Sequence, residues 1–144
     1  MKTVAEILNS KPDHSVHVIS PEVPVLEAIR LMAEKNIGAL VVTEGERVVG
    51  IVSERDYARK MILAGRCSAV TPVSAIMTSD VITVEPKANH EQCMQLMTDR
   101  HLRHLPVVDG GRLVGLLSIG DLVKNVIAEQ QSLIRHLEQY IRGE

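Results

Sequence analysis

The sequence predicts an α+β fold made of two pseudo-symmetric β-α-β-β-α units, packed together and followed by a helical extension. Three observations lead there. A phrase occurs twice, as Gly50-Ile51-Val52-Ser53-Glu54-Arg55-Asp56 and as Gly115-Leu116-Leu117-Ser118-Ile119-Gly120-Asp121, at an offset of 65 with nothing inserted or lost. At that offset Pro21, Leu31, Met32, Leu40, Val42, Gly45, Arg47 and Val49 also recur unchanged, and most other pairs exchange one aliphatic side chain for another. The chain has no Trp, no Phe and two tyrosines, Tyr57 and Tyr140, so its core has to be aliphatic. A single unit of this kind cannot cover both faces of its sheet, whereas a duplicated pair can.

The elements follow in order. Thr3 to Leu8 reads as a short helix capped by Thr3, and Asn9 to His14 as a polar loop. Val16 to Ile19 is a short β-branched strand that ends at Ser20-Pro21. Apolar positions at helical spacing mark a helix over Val25 to Asn36. Ile37 to Thr43 and Arg47 to Val52 are strands joined by the Glu44-Gly45-Glu46 turn. Glu54 to Leu63 is a helix that stops near Ala64-Gly65. Val73-Ser74-Ala75-Ile76-Met77 echoes Val4-Ala5-Glu6-Ile7-Leu8, and the order then repeats. It gives a strand at Val81 to Val84, a helix at His90 to Arg100, strands at Leu102 to Val108 and Arg112 to Leu117, and a helix from about Ile119. The expected organisation is repeat one at 3–65, a linker at 66–72, repeat two at 73–128 and an extension at 129–144. Along the last helix Leu122, Val126, Leu133, Leu137 and Tyr140 form a stripe flanked by Ile127, Ile134 and Ile141. That stripe fits a helix lying on its own domain or one paired with a second subunit.

Composition narrows the function. The 144 residues are 45% apolar and 24% charged with a formal charge of −2, a globular balance without a basic face for nucleic acid. No apolar run approaches the roughly 18 residues of a membrane span, and Met1 to Glu6 lacks the apolar stretch of a secretory signal. Two cysteines make no disulfide framework, so the expected compartment is a reducing cytoplasm. Cys93 falls on a core-facing helix position, and Cys67 in the linker. His101 and His104 lack a carboxylate or cysteine at ligand spacing, which argues against a metal site. There is no nucleophile-base pair, P-loop or G-x-G-x-x-G, hence no case for an enzyme or a catalytic cofactor.

The doubled Ser-x-x-Asp remains open between two chemistries. Ser and an acidic residue three positions on can close a capping box, although Asp is one carbon shorter than the usual Glu. A helix start also presents N–H groups and a positive dipole end that suit a phosphate or a sugar hydroxyl.

The duplicated unit resembles the cystathionine β-synthase (CBS) domain, and the tandem resembles a Bateman module of the stand-alone bacterial kind. The marks are the run Ile76-Met77-Thr78-Ser79-Asp80-Val81-Ile82-Thr83-Val84-Glu85-Pro86, the run Arg103-His104-Leu105-Pro106-Val107-Val108-Asp109, and the two Ser-x-x-Asp phrases. The resemblance implies a non-catalytic regulatory module that binds an adenosine-containing ligand (AMP, ADP, ATP, NAD(H) or S-adenosylmethionine) between its repeats and pairs into a homodimer. It implies Asp56 and Asp121 as ribose ligands, with Ser53 and Ser118 near ribose or phosphate. It also implies an adenine slot lined by Val16, Val18, Gly38, Ala39, Val81, Thr83, Arg103, His104 and Pro106, with Thr78 as a further contact. Arg55 sits in the first phrase where the second has Gly120, so the two sites are expected to be unequal, with the first favoured. Arg100, His101, Arg103 and His104 are candidates to meet phosphates across the cleft. The signal would go to a regulated protein by a change of shape; the rival reading is a dimeric interaction scaffold with a vestigial cleft.

Overall fold

Short aliphatic strands and amphipathic helices repeat at a spacing of 65, and the computed structural model, which describes residues 2–143, folds them as two copies of one architecture. Helix α1 (Val4–Asn9) comes first, then β1 (Val18–Ile19), α2 (Val25–Lys35), β2 (Ala39–Glu44) and β3 (Arg47–Ser53). A one-turn helix α3 (Glu54–Asp56) runs into a π-helical stretch (Tyr57–Ile62). A 3-10 turn (Val73–Ala75) opens the second half, followed by α4 (His90–Arg100), β4 (His104–Asp109), β5 (Arg112–Ser118) and α5 (Ile119–Arg142). The predicted extension is therefore described to residue 143; Met1 and Glu144 lie outside the described residues.

The pairing repeats to the residue. β1 runs parallel to β2 with Ile19 opposite Val42, and in the second half Val84 bridges Val107 in parallel at the same offset. Both hairpins shift register at one equivalent place, Val42/Thr43 and Val107/Val108. Helices α2 and α4 both end in a left-handed non-glycine residue, Asn36 (φ 55) and His101 (φ 54). His101 thus serves as an exposed helix terminus.

Four sequence expectations need correction. The strand expected at Val16 to Ile19 shrinks to Val18–Ile19, and the one at Val81 to Val84 survives only as the Val84–Val107 bridge. The helix expected over Glu54 to Leu63 is α-helical for one turn and then widens to i→i+5 bonding, of which Leu63 N–H to Ala58 O (3.3 Å) is one. The helix expected at Val73 to Met77 is a 3-10 turn over Val73–Ala75. Each segment faces a six-residue strand, Ala39–Glu44 or His104–Asp109, but pairs with it only at Val18 and Ile19 or at Val84.

The two cores are built by exchange. Val4 and Ile7 of α1 are buried with Val84, Cys93, Met97, Leu105, Val107, Leu117 and Leu122 of the second half. Val73 and Ile76 are buried with Val25, Ala28, Met32, Leu40, Val42, Val52 and Met61 of the first. Backbone bonds fix the swap: Val4 N–H donates to Ala88 O (2.8 Å) and Val73 N–H to Val23 O (2.8 Å), with the acceptors at the offset of 65 and the donors at 69 because of the longer first loop. Each opening segment crosses the hairpin of the other half at a glycine. A Cβ on Gly50 would lie 2.5 Å from Met77 Sδ, and one on Gly115 would lie 2.7 Å from Leu8 Cδ1. Glycine at the head of each phrase is thus the condition for the two halves to interlock.

Past residue 129, α5 leaves the body of the molecule. Leu122 and Asn125 are buried, but Leu133, Ile134, Leu137, Tyr140 and Ile141 are exposed, Tyr140 at 84%. The stripe thus starts on its own domain at Leu122 and leaves it from Leu133 onward.

Candidate functional site

The doubled phrase forms a capping box in both copies. Ser53 Oγ accepts from Asp56 N–H (3.2 Å), while Asp56 Oδ2 accepts from Ser53 N–H (2.9 Å) and Ser53 Oγ (3.1 Å). Ser118 Oγ accepts from Asp121 N–H (3.1 Å), and Asp121 Oδ2 from Ser118 N–H (2.8 Å). The shorter carboxylate does reach back, contrary to the expectation from side-chain length, because the cap residue is fully extended (φ −132 and −101) and swings its N–H over the first turn. The helix starts are also tied to the strands before them, with Glu54 N–H donating to Gly38 O (3.0 Å) and Ile119 N–H to Arg103 O (2.9 Å).

Beyond the box the two aspartates differ. Asp56 turns its second oxygen, Oδ1, to Lys60 Nζ (3.2 Å), one turn on in its own helix. Asp121 meets its lysine with the oxygen already used in the box: Lys11 Nζ lies 3.1 Å from Oδ2 and donates to Leu116 O (3.0 Å). Oδ1 of Asp121 is left without a protein partner among the described residues. Both carboxylates are 15% exposed. The Lys60 contact has i,i+4 spacing on one helical stretch, whereas the Lys11 contact is long-range and depends on the fold.

A cleft of about 250 Å³ opens beside the second phrase. Lys11, Ser15, Val16 and His17 form one wall, Ile37, Gly38 and Ala39 another, and His104, Leu116 and Ser118 the third. Of the residues singled out from sequence it brings together Val16, Gly38, Ala39, His104 and Ser118, with Asp121 reached through Lys11. Val18 instead lines a neighbouring groove with Val114 and Arg112. The groove's rim is clamped by Arg112, whose guanidinium donates to both carboxylate oxygens of Glu46 (3.0 and 2.6 Å). A further cavity, about 370 Å³, adjoins the cleft at Lys11, Ser15, Val16 and Leu116.

The remaining predicted residues belong to the other half of the pseudo-symmetry. Asp56 holds Lys60, which donates to Ile76 O (2.9 Å), and Thr78 is tied to Ile51 by two backbone bonds (2.8 and 3.0 Å). Val81 is half-buried, Thr83 and Arg103 are exposed, and Pro106 is buried in β4. At the offset of 65, Val81, Arg103 and Ser53 are the counterparts of Val16, Gly38 and Ser118. Ala39 and His104 are each other's counterpart, which puts both where the two halves meet. Arg55, favoured from sequence for its charge, is exposed and makes no ion pair among the described residues. Arg100 and His101 are exposed as well.

Charge around the open cleft centres on His104. Burial, which disfavours the imidazolium, pushes its pKa below the usual histidine value; Asp121 opposes the shift, and Arg103 and Lys11 reinforce it. His104 is therefore a neutral imidazole at pH 7. No group of three metal-ligating side chains occurs among the described residues. Cys93 is buried and Cys67 exposed. No helix among the described residues is long and apolar enough to cross a membrane.

A family model described as the CBS domain matches the chain twice, over residues 4–63 and 73–128. The chain is similar to the CBS domain-containing protein CBSX3, mitochondrial, of Arabidopsis thaliana, at 39% identity over 98% of this chain and 72% of the relative. It is similar to the CBS domain-containing protein YhcV of Bacillus subtilis (strain 168), at 34% identity over 81% of this chain and 83% of the relative. Among solved structures, a CBS-domain protein of Burkholderia ambifaria MC40-6 superposes with a TM-score of 0.86 at 54% identity, covering 90% of this chain and 96% of that one.

Proposed function

The chain belongs to the CBS domain family, and from that premise we propose that it is a non-catalytic regulatory module whose adenosine-containing ligand binds in the open cleft. The observation that carries the reading is the Lys11–Asp121 pair. It sets Lys11 in the wall of a slot that also carries Gly38 and Ala39, next to a carboxylate whose Oδ1 has no protein partner among the described residues. The aliphatic slot of Val16, Gly38 and Ala39 takes the adenine. Asp121 Oδ1 accepts from a ribose hydroxyl, and Lys11 supplies the charge for a phosphate.

Both halves contribute walls, so a ligand there favours one relative placement of the repeats. It shifts the population only by its difference in affinity between the two placements. The exposed stripe of α5 is read as the surface where two copies pair as a homodimer, through which the change reaches a regulated protein. The two free thiols suit a reducing compartment such as the cytoplasm. The rival reading, a dimeric interaction scaffold with a vestigial cleft, draws support from the same stripe and from capping boxes that need no ligand to close.

Thermal melting separates them. At about 100 times its dissociation constant, a bound ligand adds about 2.7 kcal/mol, a rise of several degrees in Tm. AMP, ADP, ATP, NAD+, NADH and S-adenosylmethionine are the set to test. If none moves the melting curve at millimolar concentration, the sensor reading fails and the scaffold stands.

A further inference from the structure

We propose that α5 pairs with α5 of a second copy of this chain, and that the two helices run antiparallel. The inference deepens the homodimer reading above and rests on it. Val123, Ile127, Ile134, Leu137 and Ile141 are all exposed and form one row, with Gln130 as its polar member. Their spacing alternates between four and three residues, the seam of a two-stranded coiled coil. The row is continuous over about 27 Å. It therefore begins on the body of the molecule and runs out along the part of α5 that stands clear of it. That projecting part is marginal in water as a free helix, which calls for a partner along the whole row. The first half of a second copy would cover too little, since its corresponding helical stretch ends at Ile62. A second α5 matches the length.

The flanks of the row choose the direction. On one side stand Val126, Leu133 and Tyr140, and on the other Lys124, Gln131 and Glu138. Parallel helices set each apolar flank against the partner's polar flank, with Leu133 beside the partner's Glu138. Antiparallel helices bring like flanks together. With the crossing centred at Ser132, Ile127 lies against the partner's Leu137, and Val123 against the partner's Ile141. On the apolar flank Val126 meets the partner's Tyr140. On the polar flank Lys124 faces the partner's Glu138, once on each side of the two-fold axis, so opposite charges match. The most exposed end of each helix is thereby carried onto the body of the other copy.

Sedimentation of the full chain at low salt, native and variant, tests the pairing and its direction. The native chain should be a dimer. Leu137→Glu lies in the projecting part of α5 and should give monomers whose body stays folded. Val70→Glu, at an exposed position in the linker, should leave the dimer intact. Lys124→Glu and Glu138→Lys should each raise the dimer dissociation constant about tenfold, since each sets like charges together twice. Both changes in one chain should restore the native value, because antiparallel pairing again matches opposite charges. In a parallel pair the two positions are about 20 Å apart, and no rescue follows. A native monomer overturns the homodimer reading and the pairing together. A dimer that survives Leu137→Glu overturns the use of α5 and leaves a homodimer through another face. A dimer that breaks with Leu137→Glu, but is indifferent to the charge changes or not rescued by the double one, overturns the antiparallel direction alone.

Discussion

Ser53-Asp56 and Ser118-Asp121 close the same capping box, yet the carboxylates beyond it are used differently. In the first phrase the aspartate and its lysine share a helix, both oxygens are engaged, and the neighbouring arginine points to solvent. In the second, the lysine arrives from the loop after α1, binds the oxygen already in the box, and leaves the other without a protein partner among the described residues, while the lysine itself lines a cleft. A duplicated motif thus keeps its structural job in both copies, while the chemistry left over depends on which distant segment lands next to it. Four residues of extra loop in the first half place Lys11 there, and the second half has no counterpart.

The largest test of that comparison concerns the exchanged segments. Ile7→Ala and Ile76→Ala each empty a fully packed position and should cost about 2–5 kcal/mol. Hydrogen exchange should show Ile7→Ala loosening β4 and β5, and Ile76→Ala loosening β2 and β3. The opposite assignment would mean that each opening segment packs in its own half.

A smaller effect separates the two glycines. Gly50→Ala would press on Met77 Sδ and, at 3.1 Å, on the Thr78 carbonyl, whereas Gly115→Ala meets only the tip of Leu8. Overpacking of this sort costs about 1–3 kcal/mol. Urea unfolding should place Gly50→Ala at the upper end, because backbone yields less readily than a leucine methyl. A larger loss for Gly115→Ala would show that the Leu8 side is the more rigid crossing.

The smallest effect is titration, present in one half only because His104 has Ala39 as its counterpart. The folded pKa of His104 lies below its unfolded value of 6.5, so the unfolded chain binds the proton more readily. The stability from the neutral ring is complete above that value and is lost as pH falls from about 6.5 through the folded pKa. Bound phosphate should draw the folded pKa upward, so nucleotide affinity should rise on acidification. Proton NMR of the His104 ring, free and with AMP, reads both shifts. A free-state midpoint above 6.5 would contradict the burial of the ring.

Much of the fold was legible because the offset of 65 survives in apolar pattern, turns and glycines alike. The exchange of opening segments was not, since Val4-x-x-Ile7 and Val73-x-x-Ile76 carry the same side chains and fit either core. The strand at Val81 to Val84 failed for a related reason: alternation shows which residues suit a strand, not how many of them the backbone brings into register with the partner strand. Of the residues that the resemblance implied, Val16, Gly38, Ala39, His104 and Ser118 come together at the open cleft. Lys11 was missed because it lies in the longer first loop, which has no repeat counterpart. Arg55 drew attention as a charge adjacent in sequence to an aspartate, but the fold turns it outward. The reach of Asp in the capping box was misjudged because side-chain length was weighed without the extended backbone of the serine.

The central claim, that the second phrase holds the open site and the first is chiefly a helix cap, comes down to one pair of variants. Titrating AMP by calorimetry into the native chain, Asp121→Ala and Asp56→Ala, with melting curves alongside, reads binding and capping together. Both variants should lose about 1 kcal/mol of stability, the worth of a cap. Asp121→Ala should weaken AMP binding about tenfold or more, while Asp56→Ala leaves it within error. Retained binding in Asp121→Ala, or equal loss in both, would contradict the account.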